Sequence, residues 1–69
     1  MSVLELSVGE SAQISGFANQ KAACASQSMG LWEGQRIQIA HKFGAVVINV
    51  NFRTVAISKI LAKEIYVSL

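Results

Sequence analysis

Proline and aspartate are both missing from this chain, and cysteine and histidine occur once each in 69 residues. Without proline, every break in regular structure must come from the five glycines or from short polar corners. Cys24 has no second cysteine to pair with, so no intrachain disulfide can form. A lone thiol fits a reducing compartment and excludes a secreted disulfide scaffold. One histidine and no aspartate cannot supply a Ser-His-Asp triad, however many serines are present, and no glycine-rich phosphate loop with its lysine occurs. The chain is not expected to be an enzyme. Charge is scarce as well: 14% of residues are charged against 52% hydrophobic, and six Lys and Arg against four Glu leave a net +2. So few charges on so small a body leave apolar surface uncovered, which points to a partner or a second copy. Long apolar runs are also absent. The most apolar window, Phe43 to Val50, is strand-length and far below the ~20 residues that cross a bilayer. The start, Met-Ser-Val-Leu-Glu-Leu, lacks the basic region and apolar stretch of a signal peptide. A single soluble cytoplasmic domain, residues 1–69, is expected.

What is present is punctuation and alternation. In Ser28-Met29-Gly30-Leu31-Trp32-Glu33-Gly34-Gln35-Arg36, two glycines stand four apart. Gly30 occupies the position where a helix ends in positive φ, and Gly34 gives the following turn the same freedom. Upstream, Leu4 and Leu6 form a lead-in before Gly9, and Ala12 to Ser15 reads as a strand ended by Gly16. Asn19 is placed to cap a helix from Gln20 to Met29, whose small residues Ala22, Ala23 and Ala25 let its backbone lie close on a sheet. Downstream, Arg36–Lys42, Ala45–Asn51 and Thr54–Ser58 alternate as strands. Ser58 to Lys63 can make one helical turn, and Ile65-Tyr66-Val67 alternates again. Five short strands with one inserted helix suggest a small closed barrel, which removes exposed sheet edges.

This order of elements, with Met29-Gly30-Leu31-x-x-Gly34 at its centre and Val55-Ala56-Ile57, Ala62 and Ile65-x-Val67 at its end, resembles the FeoA family, ferrous iron transport protein A. It is similar too to the SH3-like domain at the C-terminus of diphtheria toxin repressor-type regulators. The resemblance covers essentially the whole chain. It implies a mainly β fold, an SH3-like β-barrel of about five strands with one inserted short α-helix. It also implies a non-enzymatic cytosolic accessory protein of bacterial ferrous iron uptake, acting on the cytosolic domain of the G-protein-linked membrane transporter. Three departures stand out. Glu33 replaces the proline usual before the second glycine. Ala25-Ser26-Gln27-Ser28 replaces a Leu- and Arg-rich helix, and the loop between the middle strands is cut to Lys42-Phe43-Gly44.

Candidate functional residues are few. Cys24 and His41 are the only soft metal ligands, with no His-x-x-His or Cys-x-x-Cys spacing, and Glu5, Glu10, Glu33 and Glu64 are dispersed. No cofactor and no metal site within one chain are expected; a metal would have to be shared between chains. His41 reads as an exposed strand histidine and Cys24 as a small packing residue of the helix. For partner binding the candidates are Met29, Leu31, Trp32, Phe43 and Phe52, with Gly30 and Gly34 structural. Leu31 is expected to pack inward and anchor the turn. Trp32 either folds back over the barrel end or stands out as an anchor, a residue type enriched in interface hot spots. The six Lys and Arg read as solvated surface. Two other functions compete. A small-barrel nucleic-acid-binding module is suggested by the pI near 9.0 together with Phe43, Phe52 and His41, but the cations do not cluster along a phosphate track, and no nucleic acid is expected. A detached SH3-like domain of a metal-dependent repressor lacks preceding DNA-binding helices in a chain that opens at Met1. A homo-oligomer is compatible with all three.

Overall fold

The computed structural model describes residues 1–69. A 3₁₀ turn at Val3–Glu5 leads into β1 (Ser11–Phe17), α1 (Gln20–Ser28), β2 (Arg36–His41), β3 (Val46–Val50), β4 (Arg53–Ile57), α2 (Lys59–Glu64) and β5 (Ile65–Ser68). The five strands form one antiparallel sheet in the order β4-β3-β2-β1-β5. This is the mainly β, SH3-like arrangement expected, with two helices rather than one. The ladder does not close on itself, because β4 and β5 remain as its two edges. Curling is completed by side chains: α2 and the 3₁₀ turn pack against each other beside β5, and their buried residues join the core.

The alternation read from the sequence sets the core. Ala12 and Ile14, Ile37 and Ile39, Val46, Ile48 and Val50, Ile57, and Ile65 and Val67 all point inward and are buried. Their neighbours Gln13, Arg36, Gln38, Asn49 and Tyr66 face out. Both helices start where a capping side chain accepts an orphan N–H: Asn19 from the Ala22 amide at 2.8 Å and Ser58 from the Leu61 amide at 3.1 Å.

Several expectations are corrected. β1 does not stop at Gly16 but runs through it to Phe17, which pairs with Ile65. Gly16 sits beside a register shift between Ile14 and Gly16, where a bulge bends the strand instead of ending it. The lead-in uses Val3 and Leu6, both buried, with Leu4 only half-buried. A 3₁₀ turn eclipses residues three apart, so Val3 and Leu6, rather than Leu4 and Leu6, make the buried pair. On α1 the inward stripe is Ala22 and Ser26, continued by Met29, while Ala25 and Cys24 are exposed. Cys24 is therefore not a packing residue. Ser26 is fully enclosed with no partner for its Oγ, and nothing in the structure explains serine over alanine there.

Two of the six cations do more than face solvent: half-buried Lys42 and exposed Arg53 are both bonded to main-chain carbonyls. Lys42 Nζ donates to the Leu4 and Leu6 carbonyls at 2.8 and 2.7 Å, tying the lead-in to the end of β2. Arg53 donates to the carbonyls of Met29 and Gly30 at 3.0 and 2.9 Å, bridging β4 to the end of α1.

Candidate interaction surface

The α1–β2 connection is built from its last helical turn outward. The Gly30 amide donates to the Gln27 carbonyl and the Leu31 amide to the Ser26 carbonyl, both at 2.9 Å. This is the paired bonding of a Schellman cap, with Gly30 at φ +82° as its left-handed residue. Leu31 then enters the core and is wholly buried. It holds the turn from inside and offers no contact surface, so it leaves the set of partner-binding candidates. Met29 is half-buried against the same core and supplies only the margin of a surface.

Trp32 follows Leu31 and points the other way, with 52% of its area exposed. Its backbone is nevertheless fixed. Its amide donates to Gln35 Oε1 at 2.9 Å, and the turn is stitched to β1 by Gly34 N–H to the Ile14 carbonyl and Ile14 N–H to the Gln35 carbonyl, each 2.8 Å. Gln13 Nε2 adds a bond to the Gly34 carbonyl at 2.9 Å. These bonds hold the turn without the proline that Glu33 replaces. An exposed indole on a rigid backbone loses little entropy on docking. Glu33 beside it is exposed and makes no hydrogen bond, whereas Glu5, Glu10 and Glu64 accept from Ser2, Ser7 and Asn19.

Phe43 and Phe52 are both exposed, 91% and completely. They do not form one patch. Phe43 lies in the turn before β3 and Phe52 in the turn after it, so the length of that strand separates them. Phe52 shares its end of the sheet with the Trp32 turn, to which Arg53 is bonded. It also lines a shallow depression with Arg36, Gln38 and Asn49. His41 and Phe43 stand at the other end. A second groove runs between the helices, floored by Ala22, Ala25 and Leu61 and rimmed by Asn19, Ile60 and Glu64. No three His, Cys, Asp or Glu side chains come together in a way that could hold a metal ion.

Phe52 carries a local cost. Asn51 and Phe52 have φ of +49° and +65°, which makes the Val50–Arg53 connection a two-residue type I′ turn. Asn-Gly is the favoured pair for that turn; a bulky aromatic at positive φ is strained by roughly 1 kcal/mol. Phe52→Gly is accordingly expected to raise stability by about 1 kcal/mol in urea melts; an unchanged or lower midpoint would show the turn to be unstrained.

The FeoA domain model matches residues 1–69, the entire chain. The chain belongs to the FeoA family. Among solved structures, the crystal structure of an iron uptake regulatory protein, FeoA, is 28% identical with a TM-score of 0.90, covering 99% of this chain and 93% of that one. A FeoA-like protein from Clostridium acetobutylicum superposes with a TM-score of 0.91 at 19% identity, covering 100% of this chain and 85% of that one. IdeR from T. acidophilum matches with a TM-score of 0.89 at 22% identity over 100% of this chain but 33% of its own length. The last two share the fold. No curated protein matches the chain. Membership of the FeoA family supports a role in ferrous iron transport and association with iron uptake machinery. No helix is long and apolar enough to cross a membrane.

Proposed function

We propose that this FeoA-family chain is a non-enzymatic accessory module of ferrous iron uptake that works in the cytosol. It docks on the cytosolic domain of the G-protein-linked membrane transporter. The observation that carries the reading is Trp32, an aromatic side chain held out from a turn that is bonded to the end of α1 on one side and to β1 on the other. Exposed Glu33 follows it on the turn, and half-buried Met29 lies three residues before it at the end of α1, one polar and one apolar neighbour along the chain. Such a centre with a mixed margin is the usual anatomy of an interface hot spot.

The test is a titration of the purified chain against the transporter's cytosolic domain. Trp32→Ala is expected to weaken binding by about 2 kcal/mol, roughly 30-fold, while the melting midpoint moves little. Undiminished binding by the folded variant would place the interface elsewhere. A large loss of stability would make Trp32 a packing residue.

A further inference from the structure

The two edges of the sheet are treated differently. At β5, Ser2 bridges Tyr66, the Val67 amide donates to the Met1 carbonyl at 2.8 Å, and the pairing with β1 contains a bulge. That edge is covered and bent. At β4 there is no such protection. Its five residues pair with β3 without a break, no other strand lies beyond it, and Thr54-Val55-Ala56-Ile57 carries no charge and no proline. A regular edge without proline or bulge, whose one charge stands at its first residue, Arg53, can accept another strand.

The type I′ turn fixes which groups are free. A two-residue turn is closed by a hydrogen-bonded pair, here Val50 and Arg53. Alternation then commits the N–H and C=O of Val55 and Ile57 to β3 and turns those of Thr54 and Ala56 outward. Both residues are exposed.

We propose that the β4 edge is a self-association surface on which a second copy of this chain adds its own β4, antiparallel and centred on Val55. Centring there sets Thr54 opposite Ala56 of the second copy and Ala56 opposite its Thr54. Both outward donors and both outward acceptors of each chain are thus used, four bonds in all; centring on either neighbour leaves the pairing within β4 at two. The register is also electrostatically quiet, because Arg53 meets Ile57 rather than another Arg53. Its guanidinium is already engaged by the Met29 and Gly30 carbonyls. One step further along, Phe52 comes beside Ser58 of the second copy, where α2 begins. Ile60, 74% exposed, lies two residues beyond. Two large apolar side chains with no cover in the single chain are thereby brought to the same place. A second copy rather than an unrelated strand is favoured by this self-complementarity of bonds, charge and apolar groups together.

The experiment is sedimentation and light scattering of the intact chain across a concentration series, with disulfide trapping to read the register. The mass is expected to rise towards twice the 7.4 kDa of one chain. Ala56→Pro removes an outward N–H without touching the β3 ladder and is expected to weaken the dimer at least tenfold. Ala56→Ser, which keeps the amide, is expected to dimerise normally. In a Cys24→Ser background, Val55→Cys faces itself across the two-fold axis and should oxidise rapidly to a covalent dimer. Phe43→Cys, at the far end of the sheet, should not. A chain that stays monomeric at high concentration overturns the proposal. So does a dimer indifferent to Ala56→Pro, or trapping that is no faster at position 55 than at 43. Circular dichroism of each variant confirms that the fold is retained. Trp32 lies outside the paired edge, so Trp32→Ala separates this surface from the transporter interface.

Discussion

Leu31→Ala is expected to leave little folded protein. Leu31 is wholly buried, and it is the residue through which the end of α1 is fastened to the sheet. Truncating a buried leucine costs about 2–5 kcal/mol, the larger values arising where the surroundings cannot collapse into the space. Collapse is hindered here because Gly34 and Gln35 are bonded to Ile14 on the far side of the turn. A domain of this size has roughly 3–10 kcal/mol of total stability, so the loss approaches the whole. Denaturant titration measures it, with Leu31→Met, a volume-conserving change, expected to cost less than about 1.5 kcal/mol. A loss below 1 kcal/mol for Leu31→Ala would mean that the turn is held by its backbone bonds alone.

Gly30→Ala is expected to cost about 2 kcal/mol, from two separate sources. A side chain at φ +82° is strained by about 1 kcal/mol. The new Cβ would also run into the Arg53 guanidinium, which lies against the open face of Gly30. Arginine is flexible and can move aside, but only by giving up its bonds to the Met29 and Gly30 carbonyls. Those bonds satisfy acceptors at the negative end of a helix and are worth about 1 kcal/mol at an exposed site. The two substitutions therefore share one loss. Arg53→Ala alone should cost about 1 kcal/mol, and Gly30→Ala made in that background should add only the backbone strain, again about 1 kcal/mol. A double-mutant cycle in chemical denaturation reads the coupling directly; strictly additive costs would show that Arg53 and Gly30 act independently.

These residues show what could be read from the sequence and what could not. Local chemistry was legible. The alternation of Ile37 and Ile39 or Ile48 and Val50 follows from the two-residue period of a strand, the cap Asn19 from its side-chain acceptor, and Gly30 from the need for positive φ at a helix end. Contacts between distant parts of the chain were not. Lys42 meets carbonyls 36 and 38 residues away, and Arg53 meets carbonyls 23 and 24 away. A long flexible side chain can reach many such acceptors, so neither spacing nor composition singles out the one it finds. The candidate surface divides on the same principle. The inward packing of Leu31 was legible from the turn, whereas the two orientations open to Trp32 were decided only by the fold, which leaves it exposed. Phe43 and Phe52, alike in sequence as strand-end aromatics, are parted by the run of β3 between them. The strain at Phe52 emerges only once Val50 and Arg53 are seen to pair, which makes Asn51-Phe52 a two-residue turn.

The bond from the Val67 amide to the Met1 carbonyl brings the first residue and the end of the last strand side by side. The polypeptide is thus nearly a ring already. A short peptide could join Leu69 to Met1, and new ends could be opened in the exposed Phe43-Gly44 corner, while every strand of the sheet keeps its neighbours. In such a rearranged chain the lead-in and β5 become one continuous passage, and the edge formed by β4 lies on the far side of the sheet from the junction.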